Sequence, residues 1–225
     1  MPLFQLNQEL LSTWGVRVAV LLVCLPIHEF AHGFAAYKLG DQTAAKQGRL
    51  TLNPFVHLDI LGSLLLLFAG FGWAKPVPVD AGALRNPRRD MALIAFAGPF
   101  ANILMAFFML SVVKVVAYSV PSLTFLTPQM LDGFFFLLRS MLFINLVLAV
   151  FNLLPIPPLD GSKIFGAFLP ERAYFTMLRY ERVVIFFLLF LMLTGRLGPL
   201  LWTLAGHLLT FLDILTRPLD LLMGG

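Results

Sequence analysis

Met91–Val120 reads "MALIAFAGPFANILMAFFMLSVVKVVAYSV", thirty residues with one charged side chain, Lys114. Few folds can accept such a run. About 20 apolar residues in a helix cross the hydrocarbon core of a bilayer. Helices of soluble domains average only about 11–12 residues. Comparable runs stand at Val16–Leu39 and Gly133–Leu154, and shorter ones at Val183–Thr194 and Leu200–Thr216. Charged residues make up only 12% of the chain and the mean hydropathy is +0.87, where a soluble domain carries about 25% charged residues. The expected fold class is an all-α polytopic membrane protein with about five to six transmembrane helices.

The region after the first span breaks the pattern. Ile60–Phe71 is apolar but too short to cross as a straight helix. Pro76-Val77-Pro78-Val79 follows, an alternation that suits an edge strand or extended loop, because proline donates nothing to a ladder. These features predict a short re-entrant or β-hairpin element after the first helix. Such backbone is tolerated at membrane depth only when packed on protein or lining a wet cavity. Pro121–Pro128 reads as a loop. A tight turn around Arg196–Pro199 joins the last two apolar segments into a helical hairpin over about 174–217. The whole chain, 1–225, then forms one transmembrane domain, with its core at about 16–168.

Charge sets the expected orientation. With Met1 outside and five full spans, twelve of the sixteen basic residues face the cytoplasm: Lys38, Lys46, Arg49, Lys75, Arg85, Arg88, Arg89, Lys163, Arg172, Arg179, Arg182 and Arg217. Arg17, Lys114, Arg139 and Arg196 face the other side. The bias favours N-out and C-in. It also explains the pI near 9.5 without a nucleic-acid partner, since no basic cluster has interleaved aromatics. The single cysteine, Cys24, excludes an internal disulfide framework and reads as a small buried hydrophobe. Met1–Thr13 lacks basic residues and a small-residue cleavage site, so it does not read as a removable signal peptide.

Against this apolar background, "LPIHEFAHGF" at Leu25–Phe34 is anomalous. Each ionisable side chain at the centre of a spanning helix costs at least about 2.5–3.5 kcal/mol on insertion scales. His28 and His32 are spaced i, i+4, so both imidazoles lie on one helix face and can share one ion. Glu29 points about 100° away, off the ligand stripe but within reach of a water at the metal, which suits a general base. A bound cation offsets the cost of the cluster. A zinc site with an open position needs a third protein ligand. His57, His207, Asp59, Asp160 and Asp213 are candidates, and Asp160 stands out. It ends "FNLLPIPPLDG", Phe151–Gly161, where prolines break an apolar helix and leave freed carbonyls and a carboxylate at membrane depth. His32 lies about 12 Å inside the cytoplasmic end of its helix. Asp160 comes from a cytoplasmic end too, so the two can meet in one water-accessible cavity.

"HEFAH" with "NLLPIPPLDG" resembles the site-2 protease family, the intramembrane zinc metalloproteases. "TLNPFVHLDILGS", "GWAKPVPVD" and "AGPFAN" are similar to its compact bacterial branch, and the likeness covers about Val16–Phe168. No insertion is long enough for the PDZ domain that many bacterial members carry. The resemblance implies one Zn2+ per chain held by His28, His32 and Asp160, with Glu29 as catalytic base. Asn152 is expected beside the site, binding the substrate backbone or the oxyanion. It further implies a multi-pass protein of the bacterial inner (cell) membrane, its site toward the cytoplasmic side. The function implied is hydrolysis of peptide bonds within or near transmembrane segments of membrane-protein substrates. The alternative is a membrane transporter or metal carrier using the same His/Asp site, with the break at Pro155–Gly161 as its ion site.

The other polar residues carry smaller expectations. His57 reads as a loop histidine or a residue at the site entrance, and His207 as structural. Asn102 either lines the cavity or supports a close helix contact. Arg17, Lys114 and Arg139 are expected to snorkel from outer helix ends. The 23 phenylalanines face lipid or pack between helices.

Overall fold

The computed structural model describes residues 13–119 and 127–223. The expectation for Met1–Thr13 and most of that for Pro121–Pro128 lie outside the described residues. The chain is helical, with no strand among the described residues. Four helices are long and apolar enough to cross a membrane: α1 (Thr13–Lys38), α4 (Pro87–Ser119), α5 (Pro128–Leu153) and α9 (Leu197–Leu222). Between them lie α2 (Thr43–Lys46), α3 (Ile60–Ala69), α6 (Asp160–Gly166), α7 (Glu171–Arg179) and α8 (Glu181–Leu193). Five to six spans were expected from the apolar runs. The segment that falls short is α8, whose 13 residues reach only about 20 Å at 1.5 Å per residue.

Small residues and leucines bring the long helices together. Ala106 and Leu110 of α4, Leu142 and Leu146 of α5, and Ala205 and Leu212 of α9 form one buried cluster. A second joins Val20 and Cys24 of α1 to Met141 of α5, with Leu66 of α3 packed against it. The outward faces carry large apolar side chains, Phe96, Phe100, Leu104 and Phe108 on α4 among them, as the phenylalanine-rich composition suggested.

Side-chain pairs fix the helix directions. His28 meets Asn102 while His32 meets the Ile94 carbonyl, so α1 and α4 are antiparallel. Lys114, near the end of α4, pairs with Asp213 at 2.9 Å and Asp220 at 2.6 Å, near the end of α9. Thus α4 and α9 run the same way. The ends of α4 and α9 lie on the side where α1 begins. The described ends of the chain therefore share a side, where N-out and C-in had been expected, and Lys114 is ion-paired at that end. The turn before α9 falls at Thr194–Arg196, with Gly195 at φ +68°, and Pro199 sits inside the first turn of α9.

The irregular element after α1 is a short helix with an extended return, not a β-hairpin. Asp59 caps α3 by accepting from the Gly62 N–H at 2.8 Å, and Gly70 ends it at φ +80°. One antiparallel bridge, Leu58 to Ala74, and the bond from Lys75 N–H to the His57 carbonyl at 2.8 Å bring its two ends together. The return strand lies so close that a Cβ at Gly62 would overlap the Trp73 carbonyl, and one at Gly72 the Gly62 carbonyl. At the tip, Arg17 of α1 donates to the carbonyls of Leu67 and Phe68, and Trp14 packs edge-on against Phe68. Arg17 therefore closes the C-terminal end of α3, where free carbonyls need donors, rather than snorkelling.

Candidate metal centre

α1 changes its winding just before the histidines. Val20–Cys24 forms a π-turn, closed by the Leu25 N–H on the Val20 carbonyl, and Pro26 follows. Proline has no N–H to return to the preceding turn, and such π-bulges are frequent at functional sites. The wider turn re-aims His28 and His32 toward α4.

There they meet Gly98. A Cβ at this position would overlap both imidazole rings, so glycine is required for the close approach. One turn on, Asn102 accepts from His28 Nδ1 at 2.6 Å, and the Ile94 carbonyl accepts from His32 Nδ1 at 2.7 Å. Asp160 arrives from the other side as the first residue of α6. The Pro155–Leu159 turn folds that helix back on α5, so tightly that a Cβ at Gly161 would overlap the carbonyls of Leu153 and Leu154.

The result is a triangle. His28 Nε2 and His32 Nε2 are 3.0 Å apart, and Asp160 Oδ2 lies 3.3 and 3.2 Å from them. Ligand atoms about 2.0–2.1 Å from a tetrahedral zinc stand roughly 3.3–3.4 Å apart, so the triangle fits three corners of such a site. Its protonation fits too. A backbone carbonyl only accepts, so His32 Nδ1 carries a hydrogen, and in the neutral ring that a metal needs its Nε2 is then bare. The same reasoning reaches His28 through two amides. Asn145 Nδ2 donates to the Met141 carbonyl, Asn145 Oδ1 accepts from Asn102 Nδ2 at 2.8 Å, and Asn102 Oδ1 accepts from His28 Nδ1. Two bare nitrogens and a carboxylate, His28 and Asp160 being 6% and 8% exposed, point at one another and call for a cation. They form the one group of at least three potential metal ligands found among the described residues.

Glu29 stands outside the triangle, as its spacing required. Its Oε2 accepts from the Val77 N–H at 2.9 Å. Asn152 is not drawn into the triangle. Its amide donates to the Leu148 carbonyl in its own helix at 3.0 Å. His57 is a buried loop histidine rather than an exposed one. It is 0% exposed, bonded through Nε2 to the Thr51 carbonyl at 2.8 Å, with Nδ1 unpartnered. His207 lies on the exposed face of α9, and Asp59 caps α3, which removes both from the ligand candidates. Asp213 is occupied by Lys114. A cavity of about 1280 Å³, lined by Arg17, Asp132, Arg139, Trp202 and Asp213 among others, opens near the far ends of the spans and contains none of the triad. Sequence reasoning missed Asn145, which two turns of buried α5 conceal, and Gly98, whose only signal was its place in "AGPFAN".

Peptidase family M50 matches over residues 114–195, a stretch that includes Asp160 but not the paired histidines. "Putative zinc metalloprotease YwhC" of Bacillus subtilis (strain 168) is 40% identical over 214 residues, covering 93% of this chain and 96% of that protein. "Putative zinc metalloprotease Rip2" of Mycobacterium tuberculosis (strain ATCC 25618 / H37Rv) is 31% identical, over 82% of this chain and 70% of that protein. Rip2 of Mycolicibacterium smegmatis is 32% identical, over 72% of this chain and 60% of that protein. No solved structure matches the chain.

Proposed function

Because the chain belongs to peptidase family M50, the site-2 proteases, we propose that this multi-pass membrane metalloprotease cuts peptide bonds within or beside transmembrane segments of other membrane proteins. The observation that carries this reading is the buried triangle of two imidazole nitrogens and one carboxylate inside a bundle of apolar helices. His28, His32 and Asp160 would hold the zinc, which when bound supplies Lewis-acid polarisation of the scissile carbonyl and of a water. Val77 fixes Glu29 Oε2, which leaves Oε1 to take the proton of the attacking water and return it to the leaving amine. Asn152 keeps one amide hydrogen beyond its bond to Leu148 and can offer it to the substrate backbone.

A helical substrate cannot present its scissile carbonyl, which is already bonded within the helix, so it must unwind. Residues 75–80 offer such a strand few donors. Lys75, Val77 and Asp80 have their N–H groups engaged, and Pro76 and Pro78 have none. Pairing there would rest on the Val79 N–H and on carbonyls.

Four spans with α3 entering and leaving on one side put residues 39–86 and 154–196 on a single face. That face, with Lys38, Arg88 and Arg89 at its edge, holds twelve of the sixteen basic residues, which supports a cytoplasmic site in an inner (cell) membrane.

The test is metal analysis and cleavage in liposomes, using a single-span reporter. Wild type and Glu29→Gln should each carry about one zinc per chain, His28→Ala none, and wild type alone should cleave. Cleavage by Glu29→Gln, or wild type without zinc, would sink the reading.

A further inference from the structure

Arg49 sits in the loop after α2 and is 7% exposed. It has no partner in the ion pairs of the described residues. Its Nε is buried without a bond. A buried guanidinium without a facing carboxylate is costly, so its placement needs a reason. Its Nη2 donates to two consecutive carbonyls, Lys75 at 2.8 Å and Pro76 at 3.3 Å.

The Pro76 carbonyl and the Val77 N–H belong to one peptide group. The N–H end of that group donates to Glu29 Oε2 at 2.9 Å. One planar peptide thus stands between a buried cation and the glutamate read as the base. Its carbonyl faces the cation and its N–H faces the carboxylate. Hydrogen bonds in series polarise one another and strengthen.

The local sequence is built for this. Lys75 and Val77 each precede a proline and are confined to extended backbone, while Pro76 and Pro78 have fixed φ. The strand's shape is therefore set covalently, and only its placement remains. Its ends are held by Lys75 N–H on the His57 carbonyl and by Asp80 N–H on Asp41 Oδ2, each at 2.8 Å. Arg49 holds the peptide that touches Glu29. The Val77 side chain fills the space over Gly33 on α1, where a Cβ would come within 3.2 Å of its Cγ1.

We propose that Arg49 is a positioning residue for the catalytic base: through the Pro76–Val77 peptide it holds the Val77 N–H against Glu29. This rests on Glu29 being that base. A general base typically contributes 10²–10⁴-fold, so loosening its carboxylate should lower kcat on the order of 10–100-fold with KM little changed.

The experiment is a double-mutant cycle on the full-length, zinc-loaded protein in liposomes, with a single-span fluorescent reporter selected for cleavage by wild type. Val77→Pro keeps the extended backbone and removes the N–H. Val77→Ala, which keeps the N–H, gives the baseline for lost side chain. Arg49→Gln and Val77→Pro should each lower kcat and retain zinc, and the double variant should be no slower than the slower single. Arg49→Lys should recover part of the rate. If the two losses multiply, if KM rises while kcat holds, or if Val77→Pro matches its baseline, the proposal fails. Should Arg49→Gln lose zinc or fold, Arg49→Lys in the two Val77 backgrounds replaces it, and equal slowing in both is the overturning result. Glu29→Gln separates the premises. If it cleaves, the reading of Glu29 as base falls. If it is dead but holds zinc while the two losses multiply, only the role of Arg49 falls.

Discussion

Two side chains that never touch the metal decide how His28 is presented. Asn102 takes its Nδ1 hydrogen, and Asn145 holds Asn102 in the orientation that allows it. Partners of this kind typically change metal affinity by about 10–100-fold. Asn102→Ala should therefore weaken zinc by that factor in a chelator competition, with a smaller loss for Asn145→Ala, while the helices stay folded. Gly98→Ala should be harsher, because the added methyl overlaps both imidazoles. The expected result is a helical protein that retains no zinc on purification. His28, Glu29 and His32 were legible in the sequence because their spacing is itself the geometry of the ligand pair. Asn102 was half legible as a polar residue after Gly98-Pro99. Asn145 was not, because a third residue in a hydrogen-bond chain has no spacing to betray it.

At the scale of elements, α3 and its return strand are pinned at three points: the Leu58–Ala74 bridge, the Gly62–Gly72 approach and Arg17 at the tip. Arg17→Gln should free the carbonyls of Leu67 and Phe68, and hydrogen exchange of the Gly70–Gly72 amides should quicken while α4 and α5 remain protected. The neighbouring strand carries a pH lever. Burial pushes the Asp41 carboxyl up, but hydrogen bonds from Thr43 and from the Asp80 N–H, with Lys46 nearby, outweigh it and hold it below the usual carboxylate range. A lowered folded value means its stabilisation is complete above the unfolded value of about 3.9 and fades as pH falls through the folded one. Exchange of the Asp80 amide should therefore be flat in protection from pH 8 to 5 and lose protection only in stronger acid. Asp41→Asn should remove that acid step. The sequence offered Asp59, Gly70 and the prolines as punctuation. It did not show that Ile60–Ala69 is a helix whose return strand serves Glu29, because a short apolar run suits either helix or strand.

For the whole molecule, the direction of α9 is the main revision. Lys114 bonds to Asp213 and Asp220 only if α4 and α9 run in parallel. The described N- and C-terminal ends then share a face, opposite the Lys46–Gly48 loop. The single native cysteine is buried, so introduced cysteines report cleanly. Cysteines at 13 and 223 should react with an impermeant reagent from one side of the membrane, and one at 47 from the other. Labelling at 223 from the side that labels 47 would restore the expected hairpin.

The charge count could not have seen this. Reversing the last helix exchanges Arg196 for Arg217 and leaves twelve basic residues on one face and four on the other. The sequence by itself determined what covalent spacing and composition encode: apolar helices, the paired histidines with an offset glutamate, and a helix broken ahead of Asp160. Only the tertiary structure decided what depends on residues far apart in the chain. It brought Asp160 to within 3.3 Å of His28 and 3.2 Å of His32, fixed both tautomers through α4 and α5, set the course of α9, and placed a loop arginine behind the peptide that holds Glu29. The physical reason is that hydrophobic patterning is non-directional and selects which faces are covered. Hydrogen bonds and ion pairs are directional and select which partner does the covering.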